Sequence, residues 1–299
     1  MNRGEDWLQR AMHELARSVE AFPAMRRMGD AAVPDPVQVE RAWERFRWIC
    51  FPGYFGLAQA AGGDAHGLVR GAVAGLRAEL EPQLLRATAV HTGQPDPELA
   101  ARWMAQLLEA TPAIRALLHA DAQEAVVADP AARSLEEVIV CYPGLRVMTA
   151  HRLAHVLHRS GVPLVPRMLS ELAHERTGID IHPGASIAGG LFIDHGTGVV
   201  IGETAVIGSH CRIYQGVTIG ALTPDLGREG RLRTEGKRHP TLGDRVVVYA
   251  GATILGGDTV IGDGATIHGG VFLTQSVPPG CTAMAPRPER LLKKPPPAS

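Results

Sequence analysis

Four cysteines are all the chain contains in 299 residues, and none of them forms a C-x-x-C pair. Cys50, Cys141, Cys211 and Cys281 are scattered, which argues against a disulfide framework or a thiolate zinc site and fits reduced thiols in a cytoplasm. Charge of one sign is not in excess either. With 30 basic and 31 acidic side chains the formal net charge is −1, and nothing in that balance points to nucleic acid or an anionic membrane as partner. No apolar run approaches the roughly 20 residues that span a bilayer. No basic start leads into an apolar stretch and a small-residue cleavage site, so no secretory signal is visible. A soluble globular chain of one large or two medium domains is expected.

The chain is written in two grammars. Up to about residue 176 it reads as helices. Trp7, Leu8, Met12, Leu15, Ala16 and Val19 fall on one face at helical spacing. Asp96-Pro97-Glu98 is a helix start, with a capping Asp, a Pro at the first helical position and then an acid. Asp129-Pro130 opens a short helical or turn segment. Pro143-Gly144 breaks the chain before a helix over about Leu145 to Arg159, which Gly161-Val162-Pro163 ends.

From Thr177 glycine, isoleucine and valine take over. Residues 177–285 hold 22 of the 34 glycines, in a six-residue rhythm that is neither helical nor ordinary strand-and-turn. That period is a signature of parallel β-helices, where each repeat forms one side of a triangular coil and one aliphatic per side stacks inward. One slot runs Ile181, Ile187, Ile193, Val199, Ala205, Cys211, Val217. The slot two residues on runs His195, Ile201, Ile207, Ile213, Ile219 and resumes at Leu242, Val248 and Ile254. His195 thus stands where later repeats carry an aliphatic, and Pro183 and Gly189 break the series before it. Cys211 reads as a small buried hydrophobe. The spacing fails between Ile219 and Leu242, so residues 221–240, with Arg228, Arg231, Arg233, Lys237, Arg238 and His239, should loop out of the prism. A one-residue bulge is expected between Ile254 and Ile261. The last residues, 286–299, should be a disordered tail.

A prism offers no internal pocket, so chemistry belongs on its outside. Asp180 and His182, then Asp194-His195-Gly196-Thr197-Gly198, then Arg238-His239 are the polar candidates. Histidine beside carboxylate is the usual arrangement for a general base. A plain polar turn is the competing reading for Asp194-His195, and the break in the repeat favours a site. His151, His155 and His158 share a helix face, but no acid or cysteine joins them at ligand spacing, and no metal site is expected. His210 and His268 read as surface residues or polar ladders.

With these residues in hand the chain resembles the serine O-acetyltransferases of the hexapeptide-repeat class. Asp129-Pro130-Ala131-Ala132, Tyr142-Pro143-Gly144 and His151-Arg152-Leu153-Ala154-His155 resemble the family's helical segment. Ile179-Asp180-Ile181-His182-Pro183, Asp194-His195-Gly196-Thr197-Gly198 and Arg238-His239-Pro240 resemble its catalytic stretches. The resemblance implies an α+β architecture: an α-helical N-terminal domain (1–176) that serves oligomerisation and part of the substrate site, then a left-handed parallel β-helix (177–285). It implies a transfer of acetyl from acetyl-CoA to the L-serine hydroxyl, giving O-acetylserine for cysteine biosynthesis. His195 is then the general base and Asp180 its carboxylate partner, with no acyl-enzyme. Asp129, Asp194, Arg238 and His239 would bind serine, and Ala221, Ala250 and Gly251 would lie along CoA. A trimer or dimer of trimers is implied. Another hydroxy amino acid such as homoserine stays open as acceptor, because one methylene is discriminated only modestly. Many members end in an isoleucine that enters O-acetylserine sulfhydrylase. This chain ends in Ser299, so the resemblance does not carry that partnership over.

Overall fold

The computed structural model describes residues 3–25, 33–55, 64–222 and 236–286. Its helices are α1 (Arg3–Ala21), α2 (Pro36–Cys50), α3 (Ala65–Thr92), α4 (Pro97–Ala128), α5 (Leu135–Cys141), α6 (Pro143–Arg159) and α7 (Val165–Thr177). Side-chain caps fix their starts. Asp35 accepts from Val37 N ahead of Pro36, Asp96 accepts from Leu99 N at 2.9 Å ahead of Pro97, and Ser134 accepts from Glu137 N. The apolar face of α1 is helical as its spacing predicts, and it is exposed: Trp7, Leu8, Met12, Leu15 and Val19 all face solvent.

Two compact units share the chain, one of residues 1–112 and 152–169, the other of 113–151 and 170–299. The first is an all-helical body in which α2 packs on α3, with Trp43, Phe46, Leu76, Leu80 and Leu84 fully buried between them and their neighbours. Asp35 N donates to Gln83 Oε1 at 2.9 Å across the same pair.

The second unit carries the repeat. Its strands are β1 (Asp180–Ile181), β2 (Ser186–Ile187), β3 (Phe192–Ile193), β4 (Val200–Ile201), β5 (Val206–Ile207), β6 (Arg212–Ile213), β7 (Thr218–Gly220), β8 (Thr241–Leu242), β9 (Val247–Val248), β10 (Thr253–Leu255), β11 (Val260–Ile261), β12 (Thr266–Ile267), β13 (Phe272–Leu273) and β14 (Thr282–Ala283). They form three parallel sheets, β1-β4-β7-β10-β13, β2-β5-β8-β11 and β3-β6-β9-β12-β14. These are the three faces of a left-handed β-helix.

The registers correct the frame of the repeat. Val200 pairs with Thr218, 18 residues on and therefore three hexapeptides. Asp180 pairs with Val200, Ser186 with Val206 and Phe192 with Arg212, each 20 residues on. The two extra residues fall between Ile193 and Ile201. His195 is therefore not a polar intruder in an aliphatic slot. The slot steps from Ile193 straight to Ile201, so that Ile181, Ile187 and Ile193 stack under Ile201, Ile207 and Ile213. Val199, Ala205, Cys211 and Val217 continue a second buried row that begins with Ile179, Ala185 and Leu191. Each side sends two residues inward, not one, and Pro183 and Gly189 break nothing.

The other interruptions lie where the spacing puts them. Val206 pairs with Thr241, 35 residues on, so the coil closes across an excursion between Gly220 and Thr241. Residues 223–235, with Arg228, Arg231 and Arg233, lie outside the described residues. Thr253 pairs with Phe272, 19 residues on, and the extra residue sits beside Gly256 at φ 101. The tail from residue 287 lies outside the described residues too.

Helix α4 is pinned to the prism by two carboxylates. Asp121, 2% exposed, accepts from both Gly190 N and Leu191 N at 2.9 Å. Glu124 holds Arg212 Nη2 at 2.8 Å through one oxygen and His210 Nδ1 at 2.9 Å through the other.

Candidate active site

The three corners of the prism carry different chemistry. The corner from β3 to β4 holds the two-residue insertion. His195 (φ 56) and Gly196 (φ 82) are successive left-handed residues there, a conformation that a side chain other than glycine adopts at a cost. It turns the imidazole outward: the side chain is 71% exposed, with Nε2 3.8 Å from Asp194 Oδ2. The insertion lies directly on the first turn of the prism. A Cβ on Gly196 would run into the Ile179 side chain, and Thr197 packs on Gly178. Asp180, the next residue along, therefore begins beside the insertion, and its N–H donates to Val199 O at 2.9 Å.

Two helical elements bring further groups to this corner. Asp129 follows the end of α4 and Tyr142 links α5 to α6. Gly144 lets α6 approach, since a Cβ there would strike the carbonyl of Ile193. Tyr142 Oη donates to Asp129 Oδ2 at 2.5 Å and Ala131 N donates to Oδ1 at 2.8 Å. Those bonds, led by that from Tyr142, hold the Asp129 carboxyl below the usual carboxylate range, and His195 adds to the effect. The Tyr142 hydroxyl is pushed up, first by its bond to Asp129 and then by burial, with the charges of Glu137 and Asp194 contributing. Burial and then Asp194 likewise raise Tyr214, one coil above. Asp129, Tyr142, Asp194 and His195 thus share one electrostatic site whose carboxylates can take a cation and whose imidazole can take a proton.

Arg238 and His239 stand at the next corner, from β4 to β5, where the excursion returns. Arg238 Nη2 is paired with Glu203 Oε2. His239 is buried, and its Nδ1 meets Thr204 N at 3.1 Å and Thr204 Oγ1 at 2.9 Å. Burial, then the charges of Arg238 and Lys237, push its imidazole down to about 4, so it is neutral. Of the proposed CoA positions, Ala221 opens the excursion, while Ala250 and Gly251 lie two coils above His195 at its own corner. There Gly198, Gly216, Gly251 and Gly270 stack at positive φ and leave the backbone uncovered. Tyr214 and Tyr249 stack beside them with ring centroids 5.2 Å apart.

Of the residues the sequence marks, Asp129, Asp194 and His195 gather at one corner, Asp180 is set beside it by its backbone bond to Val199, and Arg238 and His239 stand together at another. His151 is buried, and among the described residues no group of three or more His, Cys, Asp or Glu is placed to hold a metal. Roles for Tyr142, Glu203, Thr204 and Lys237 are visible only in the structure, although Tyr142 lies inside a stretch that carries the resemblance.

Comparisons with known proteins give one family. A serine acetyltransferase of Synechococcus elongatus, described as plasmid, is 44% identical over 243 residues, 78% of this chain and 76% of that protein. The chain belongs to the serine acetyltransferase family. A serine acetyltransferase of Helicobacter pylori is 47% identical over 165 residues, 55% of this chain and 91% of its own. The crystal structure of Entamoeba histolytica serine acetyltransferase 1 in complex with L-cysteine superimposes with a TM-score of 0.73 at 31% identity, over 93% of this chain and 99% of that one. Isoform 3 of the same organism, also with cysteine, gives 0.71 at 36% identity, over 85% and 84%. No family model matches the chain.

Proposed function

We propose that this chain transfers the acetyl group of acetyl-CoA to the hydroxyl of L-serine, with His195 as general base. The observation that carries this reading is the convergence of Asp129, Tyr142, Asp194 and His195 on the insertion. The anionic Asp129 and Asp194 suit the ammonium of an amino acid. Arg238, oriented by Glu203, suits its carboxylate bidentately. With both ends held, the serine hydroxyl faces His195, and the step becomes effectively unimolecular. His195 removes the hydroxyl proton as the oxygen attacks the thioester carbonyl. The tetrahedral intermediate collapses, the carbon–sulfur bond breaks, and the CoA thiolate takes the proton from the imidazolium. Asp180 stabilises that imidazolium. No cysteine enters: the Cys211 thiol is buried in the prism and pushed up to about 11, first by burial.

CoA would lie along the exposed glycine corner at Ala250 and Gly251, where no side chain blocks backbone contact, with Ala221 contributing from a neighbouring copy. Arg238 and His239 stand one corner away from His195, so a second copy of the chain is the natural donor of the carboxylate-binding half. The resemblance supports a homo-oligomer built of trimers, with the helical residues 1–176 as the oligomerisation domain. Among the described residues no helix is long and apolar enough to cross a membrane, and no disulfide joins the four cysteines; we place the enzyme in the cytoplasm.

The test is thiol release from acetyl-CoA by purified protein, with kcat/KM compared for L-serine, L-homoserine and chloramphenicol. The expected result is a preference for L-serine. A stronger preference for either other acceptor contradicts the reading.

A further inference from the structure

The geometry around His239 fixes which of its nitrogens carries the proton. Thr204 N is a backbone amide and can only donate, so at 3.1 Å Nδ1 is its acceptor. Thr204 Oγ1 already accepts two backbone N–H groups, from Arg238 at 2.9 Å and from His239 itself at 3.0 Å. Both of its lone pairs are engaged, and what it offers Nδ1 at 2.9 Å is its own proton. Two donors therefore meet the Nδ1 lone pair, and the single imidazole proton is on Nε2. The frame around the ring is closed. Lys237 Nζ donates to the carbonyls of Thr204, His239 and Pro240 and so ties the returning excursion to the β4–β5 corner. Gly202 makes room, since a Cβ there would overlap the Cδ2–Nε2 edge of the ring.

We propose that Thr204, within the Lys237 frame, is a positioning residue that locks His239 as a neutral Nε2–H donor for an oxygen of the bound serine. His239 is then not a second base. The proposal deepens the serine acetyltransfer reading and rests on it. The charged and titratable groups around the ring are Arg238, Lys237, Glu203 and His182. The two nearest cations, with burial, oppose a second proton, which agrees with the lock. A neutral donor costs no charge neutralisation next to Arg238, and it strengthens as negative charge develops on the acceptor oxygen.

Histidine-selective 15N labelling of the full-length protein tests this, with two-bond proton–nitrogen correlations followed from about pH 5.5 to 8. The expected spectrum shows His239 as the Nε2–H tautomer, neutral across that range. Thr204→Val should admit the Nδ1–H form and lower kcat/KM for serine about tenfold, with little change in KM for acetyl-CoA. Thr204→Ser should restore both. His239→Gln, whose amide reaches the Nε2 position, should keep more activity than His239→Asn, whose amide sits at Nδ1. An Nδ1–H or doubly protonated ring in the wild type would overturn the proposal, as would unchanged serine kinetics in Thr204→Val or equal losses in the Gln and Asn variants. A wild type with the expected spectrum that releases no thiol with serine would reject the activity instead, leaving the tautomer assignment intact.

Discussion

Two histidines of the prism share a strained backbone and differ in what surrounds them. His195 has φ 56 and His210 has φ 57, and each lies near a carboxylate. His210 occupies a regular corner, where its Nδ1 meets Glu124 at 2.9 Å and helps pin α4 to the coil. His195 occupies the two-residue insertion, 3.8 Å from Asp194, with its ring turned to solvent. Strain alone marks neither as functional. What separates them is the company each keeps: one faces a structural latch, the other an open corner lined by Asp129 and Asp194.

That contrast can be broken by substitution. His195→Ala should lower kcat for serine acetylation by about 10²–10⁴ and leave the melting temperature unchanged, whereas His210→Ala should keep activity within about twofold. Equal losses in steady-state thiol release would erase the distinction. Tyr142→Phe should raise KM for serine by about tenfold, because the anionic Asp129 loses the hydrogen bond that orients it. A change confined to KM for acetyl-CoA would place Asp129 elsewhere in the reaction. On the latch side, Asp121→Ala leaves two buried N–H groups without their acceptor and should cost about 3 kcal/mol in chemical denaturation, with kcat retained in the folded protein.

The smallest effect is one of pH. His239 sits at about 4 when folded against 6.5 ordinarily, so the unfolded chain binds the extra proton first. Its contribution to stability is complete above about pH 6.5 and is lost as the pH falls toward 4. Melting curves across that window should show a shallower decline for His239→Gln than for the wild type. Parallel curves would remove the buried neutral imidazole from the account.

The rhythm of sixes was legible because every coil must present aliphatics inward, and the helix starts were legible because Asp96 and Pro97 act within one turn. The frame of the first coil was not. A slip of two residues moves Val199 into one inward row and Ile201 into the other, and both are aliphatic, so either frame reads as a core. The stretch Asp-His-Gly-Thr-Gly, proposed to hold the base, was recognisable, yet its insertion shows only in the 20-residue register of Asp180 with Val200. Contacts between distant segments were also hidden. Glu124 reaches His210 across 86 residues and Thr204 reaches His239 across 35, and no local pattern announces such pairs. Pairing of Arg238 with Glu203 belongs to the same class.

The central claim is that the insertion exists to present a base, and chemical rescue tests it most directly. His195→Gly suits the left-handed backbone without strain and should leave a folded protein with a space at the corner. Added imidazole should restore serine-dependent thiol release in a saturable way, and the same addition should do nothing for the wild type. A variant that turns over at the wild-type rate without imidazole, or one that imidazole cannot rescue at any concentration, would contradict the account.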